Sequence, residues 1–167
     1  MARKQNNQRG GRRGFEQKDE FDQQTIDLAR VTRVTKGGKQ MSFRVCIVVG
    51  DHKGRVGEGT GKGKDVQMAM EKAVRLAKKH VVRINLAGDT IPHRTEAKYK
   101  ATRVIIKPAP PGSGLICGGA VRTVLALAGV ESASSKKFGG KNKITTVRAT
   151  IEALKQLRPS RNTVPAA

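Results

Sequence analysis

ARVTRVTKGGKQMSFRVCIVVGDHKGRVGEGTGKGK, residues 29–64, is three strand-like runs cut apart by glycine turns and studded with Lys and Arg. In the middle run Phe43, Val45, Ile47 and Val49 fall on one face while Ser42, Arg44 and Cys46 fall on the other, the pattern of a half-buried strand. Before it, Val31 to Thr35 is β-branched enough for a strand, although Val31 and Val34 land on opposite faces, so propensity rather than period supports it. After it, Gly57, Gly59 and Gly61 share one side of a run from Arg55 to Lys62. Glycine weakens a strand interior, so a bare glycine face implies that a helix or another backbone comes close there. Lys36-Gly37-Gly38-Lys39 joins the first two runs as a tip that can reach outward, and Gly50 to Gly54 joins the second pair in the same way.

A helix is expected from Asp65 to His80, because Val66, Ala69, Met70, Ala73, Val74 and Ala77 recur at helical spacing. Val81 to Leu86 reads as a strand, with a domain boundary near Leu86 to Gly88. Next come a strand over Thr90 to Glu96, interrupted by Pro92, and one over Ala101 to Lys107, whose Val104-Ile105-Ile106 run suggests cover on both faces and a helix packed on it. Pro108 to Gly114 is a stiff exposed loop. Gly118-Gly119 opens a helix through Ala128 that Gly129 terminates. Such a helix start suits phosphate, with Arg122 one turn on; alternatively the two glycines only permit tight helix-on-sheet packing. A short strand over Ser134 to Phe138 and a last helix follow, with Asn142 as N-cap, Ile144, Val147, Ile151 and Leu154 on the core face, and Pro159 as the stop.

The charge narrows the partners. Thirty-four Lys and Arg against thirteen Asp and Glu give +21 in 167 residues, which favours a polyanion, nucleic acid first. No apolar run approaches the roughly 18 residues of a membrane-spanning helix, and the basic start MARKQNNQRGGRRG has no apolar segment after it, so a cytosolic protein with no membrane partner is expected. Cys46 and Cys117 have neither disulfide nor metal-ligand spacing and read as buried small hydrophobes. His52, His80 and His93 are scattered, and His52 reads as a solvated turn residue. A P-loop fails on spacing, since Gly57 and Gly61 enclose three residues and Lys62 is followed by Gly63. With no clustered nucleophile, base or paired carboxylates, neither an enzyme nor a bound cofactor, metal or small-molecule substrate is expected. Residues 1–24, with the RGG-type patch Arg9 to Gly14, and residues 160–167 read as loose tails. The acidic shift from Glu16 to Asp27 has no assigned role.

Aromatics are few and Phe43 is expected in the core, so a base-stacking platform is not expected; phosphate contact and recognition of folded RNA shape remain. The RNA-binding candidates are Arg33, Lys36, Lys39, Arg44, Lys53, Arg55, Lys62, Lys64 and Arg122, which flank turns or stand opposite apolar faces.

VTRVTKGGKQMSFRVCIVVGDHKGRVGEGTGKGKDV and, further on, KPAPPGSGLICGGAVRTVLALAGV with NKITTVRATIEAL resemble the two halves of bacterial small-subunit ribosomal protein five, the S-five family. The likeness covers most of Thr25 to Leu157 and departs from the family pattern at Thr60, Gly63 and Gln67. It implies an α+β chain of two small domains. One is a double-stranded-RNA-binding-like domain at 25–87, with a three-stranded antiparallel sheet plus a helix. The other is a C-terminal α/β sandwich at 88–159 with a left-handed βαβ crossover. It further implies a place in the 30S subunit, with 16S rRNA, proteins four and eight, and mRNA near the entry tunnel as partners, and roles in assembly and accuracy. By the same resemblance Lys36, Gly37, Gly38 and Lys39 match a loop associated with spectinomycin sensitivity, while Gly114 and Arg122 match a region facing protein four. The alternative is a free RNA-binding module or RNA chaperone outside the ribosome.

Overall fold

The computed structural model describes residues 20–159. The RGG-type patch, most of the tail assigned to 1–24, and the tail 160–167 lie outside them. Three strands, β1 (Asp22–Thr35), β2 (Gly38–Gly50) and β3 (Arg55–Gly63), pair antiparallel in chain order, and a two-residue strand β4 (Val82–Arg83) adds to β3. The expected three-stranded sheet therefore has a fourth strand, shorter than the Val81 to Leu86 run suggests. β1 also begins earlier than expected. Asp22 to Gln24, placed by sequence in the N-terminal tail, form a ladder with Gly50, Val49 and Val48. Their polarity reflects an edge strand with exposed side chains, which composition cannot tell from a tail.

Helix α1 (Val66–Lys79) starts where Asp65 caps it, accepting from the Val66 N–H at 2.8 Å. It buries Ala69, Ala73 and Ala77 against the glycine face of β3, as the bare glycines require. A Cβ built on Gly57, Gly59 or Gly61 would run into the carbonyl oxygens of Ala77, Ala73 and Ala69 in turn. Small residues on both partners let the two backbones come this close.

The middle strand is not half-buried. Val45, Ile47 and Val49 pack under α1, yet Cys46 and Val48 are buried too, because the C-terminal half covers the opposite face. Val48, Val56 and Ile84 share one continuous core with Val121, Val124, Leu125 and Leu154.

In that half, β5 (Thr95–Tyr99), β6 (Thr102–Pro108), β7 (Leu115–Ile116) and β8 (Ala133–Gly139) form a sheet of order β5-β6-β8-β7. β7 lies parallel to β8, joined to it through helix α2 (Gly119–Ala128). The strand expected over Thr90 to Glu96 is displaced to Thr95–Tyr99, clear of Pro92, whose ring cannot donate to a ladder. Among the described residues β6 is covered on one face only: Thr102, Val104 and Ile106 are buried toward helix α3 (Lys143–Lys155), while Arg103 and Lys107 are exposed opposite them. The apolar run of β6 thus misled, since Ile105 lies half-buried on the open side. Asn142 caps α3 as expected, accepting from the Ile144 N–H at 2.9 Å, but the helix ends at Lys155, before Pro159.

The turn 51–54 does not reach outward. It folds onto the C-terminus of α2, where the His52 N–H donates to Leu127 O and the Gly54 N–H to Ala128 O, each at 3.0 Å. Carbonyls at a helix end have no partner within their own helix, and here a turn more than 70 residues earlier supplies it. His52 is not a free turn residue either: its Nδ1 lies 2.9 Å from Ala126 O and its Nε2 3.1 Å from the Asp22 carboxylate.

Candidate nucleic-acid interface

β3 pairs with β2 only from Phe43 to Gly50, whereas β1 stays paired with β2 to the end of the hairpin, Thr35 opposite Gly38. The ladder from Val31 to Met41 therefore projects past the sheet as a two-stranded ribbon, with Val34 and Met41 exposed on it. Lys36 and Gly37 form its loop, Gly38 adopts a positive φ of 135°, and the Thr35 hydroxyl donates to Gly38 O at 3.1 Å. Arg33, Lys36 and Lys39 sit on this ribbon, exposed, and none of them forms an ion pair among the described residues. A ribbon bare on both faces, tipped with unpaired cations, presents charge without first having to break internal contacts.

The remaining candidates divide by what holds them. Arg44 and Lys62 are cross-strand partners on the sheet face opposite α1, with Arg44 3.9 Å from Asp27. Lys64 is exposed beside the start of α1. Arg55 is committed elsewhere: its Nε donates to Asp51 at 2.6 Å, Glu20 lies 3.8 Å away and the Phe21 ring centroid 5.1 Å. Lys53 is exposed on the turn that caps α2, at the end of β2 remote from the ribbon tip, about 35 Å away by strand rise. Arg122 belongs to the first turn of α2, and its Nη2 donates to Leu115 O at 3.1 Å. Gly114 sits in the preceding loop at φ 68°, with open space around it. The structure thus unites the ribbon cations, sets Arg44 and Lys62 below them, and separates Lys53, Arg55, Gly114 and Arg122 from both.

Burial pushes the Asp51 carboxyl up, but hydrogen bonds from the Arg55 side chain and from the Lys53 and Arg55 N–H groups outweigh it and hold the group below the usual carboxylate range. A carboxyl depressed in the folded state adds stability above its unfolded pKa, near 4, which is lost as pH falls through the folded value. Asp51→Asn should therefore flatten the acid side of the stability profile while lowering stability at neutral pH; thermal unfolding between pH 2 and 7 measures both.

Gly118 and Gly119 do not serve tight packing, because a Cβ on either would meet open space. Together with Lys137, Lys141 and Lys143 they line a cavity of about 470 Å³, and no sequence motif had linked these lysines to the helix start. Lys143 is tied to Asp27 at 3.3 Å, an ion pair between β1 and α3. Cys46 is buried and its thiol is pushed up to about 11 by burial, with the nearby Glu58 charge adding to the effect. Cys117 is only half-buried, its thiol also raised by burial, an effect that the neighbouring Arg122 opposes. Raised thiol pKa values mark inert rather than nucleophilic cysteines.

Two family models match the chain. Residues 21–85 match the model described as ribosomal protein S5, N-terminal domain, and residues 97–164 match ribosomal protein S5, C-terminal domain. The small ribosomal subunit protein uS5c of Spinacia oleracea is 48% identical over 142 residues, which cover 84% of this chain and 46% of that protein. The chain thus spans about half the length of this curated relative.

Proposed function

We infer the function from one premise: the chain belongs to the ribosomal protein S5 family. Its role is that of a structural constituent of the small ribosomal subunit, held by 16S rRNA, with no catalytic step assigned to it. The observation that carries this reading is the projecting ribbon of β1 and β2, whose Arg33, Lys36 and Lys39 are exposed and without ion pairs among the described residues. The wide, shallow minor groove and the phosphates of folded RNA are surfaces that such a ribbon can lie against. Arg44, Lys62 and Lys64 would extend the contact down the sheet, whereas Lys53, Arg55 and Arg122 would touch RNA only from the other end. Gly114 and Arg122 would face small-subunit protein four, protein eight would be a further neighbour, and mRNA would pass close by on its way to decoding. Support for assembly and accuracy would follow from holding rRNA and these neighbours in register, at a cytoplasmic ribosome.

Two measurements test this. In sucrose gradients at moderate salt the protein should sediment with small subunits; recovery in ribosome-free fractions at low salt would count against the reading. Lys36→Ala with Lys39→Ala should leave the melting temperature within about 2 °C, since both residues flank an exposed turn. The same pair should weaken binding to structured rRNA fragments about tenfold and make the dependence of log affinity on log salt shallower by about 1.5. A large stability loss with unchanged binding would make the tip a structural element instead.

A further inference from the structure

We propose that the open face of the C-terminal sheet is a second RNA surface, taking a single-stranded segment with one unpaired base stacked on Phe138. Directly paired residues of an antiparallel ladder share a face. On β6 the buried side is fixed by Val104 and Ile106, so Arg103, Ile105 and Lys107 point away from α3. Their partners Phe138, Lys136 and Ser134 on β8, and Lys98 on β5 opposite Arg103, therefore line the same open face.

Phe138 is 48% exposed, an aromatic standing on a sheet surface beside Arg103 and two strand positions from Lys136. A shallow depression of about 820 Å³ runs alongside it, bordered by Ile105, Lys107, Ile116 and Lys136. The one carboxylate on these strands, Glu96, is already engaged by Arg103 and lies 3.7 Å from Arg94. An exposed ring flanked by cations, with apolar floor between them, matches the way single strands are held: bases stack on aromatic rings while Lys and Arg follow the phosphates. The charge excludes an apolar or basic protein segment as the better fit. The surface lies on the far side of the fold's second sheet, apart from the ribbon of β1 and β2, and a single strand is a different RNA class from the folded RNA assigned there. The inference rests on the RNA-bound role proposed above but does not depend on the ribbon.

The chain has no tryptophan, so Phe138→Trp makes a sole tryptophan reporter in the full-length protein, excited at the red edge where Tyr99 does not absorb. Titrating an eight-nucleotide oligouridine should quench it. Phe138→Ala and Phe138→Leu should both weaken binding of the labelled oligonucleotide about tenfold without changing the melting temperature, because an exposed aliphatic side chain offers no face for stacking. Lys36→Ala with Lys39→Ala should leave the quenching intact, so failure of the ribbon reading and failure of this one are separable. Absence of quenching, wild-type affinity in the alanine variant, or full affinity in the leucine variant with loss only in alanine would each overturn the proposal. The last result would mean that the side chain serves apolar contact, as for a docked protein.

Discussion

Gly59→Val is expected to destabilise the protein by about 4 kcal/mol or more, enough to leave much of the chain unfolded at 37 °C. The reason is where the new atoms would go. A Cβ at position 59 meets the carbonyl of Ala73 and the N–H and Cβ of Ala77, which are backbone and stub atoms that cannot rotate away. Helix α1 would have to lift from β3, uncovering Val45, Ile47 and Val49 and opening the ladder that aligns β2 with β3. Gly37→Ala is the control. Position 37 has open space around it and should shift stability by less than about 0.5 kcal/mol. Circular dichroism melts of the two variants test the contrast; similar melting temperatures would mean that α1 does not sit against β3 as described.

Arg148→Met is expected to cost about 2 kcal/mol, a fall in melting temperature of about 4–8 °C at this chain length. Arg148 on α3 donates through Nε to Glu58 on β3 at 2.8 Å and through Nη1 to the Tyr99 hydroxyl at 3.0 Å, tying the N-terminal sheet to the C-terminal unit. Glu58 is mostly buried and one of its oxygens already lacks a hydrogen bond among the described residues, so removing the arginine would strand a carboxylate in a poorly solvated junction. The guanidinium itself is more than a third exposed, which keeps the figure below that of a fully buried pair. Glu58→Gln in the Arg148→Met background should recover part of the loss, because the uncompensated charge would be gone. Strictly additive effects in a double-mutant cycle would show that the pair is not coupled.

Local rules made some of this architecture readable from the amino-acid order. The glycine face of β3 demanded a close backbone, and α1 supplies it through three alanines at helical spacing. The cap Asn142 and the terminator Gly129 could be read because each acts on neighbours within a few residues. What escaped was set by distant partners. Nothing near Val48 tells that α2 will cover it, so β2 looked half-buried. Nothing near His52 tells that its turn will cap a helix some 75 residues on, so the turn looked like a twin of the ribbon tip. The candidate cations divided likewise: Arg33, Lys36 and Lys39 follow from hairpin geometry, but the capture of Arg55 by Asp51 depends on a turn closing back on itself. Phe138 was passed over because counting aromatics says nothing about which one stands on an open sheet.

The turn that seals the end of α2 bears on how the molecule is made. Translation delivers the first sheet before its lid exists, so the emerging chain carries Val48 and Val56 bare until α2 leaves the exit tunnel. A shortened version stopping at residue 87 would keep those valines wetted permanently and should aggregate, and the complementary piece would start life with helix carbonyls that nothing closes. The halves match separate family models, yet neither is equipped to live alone.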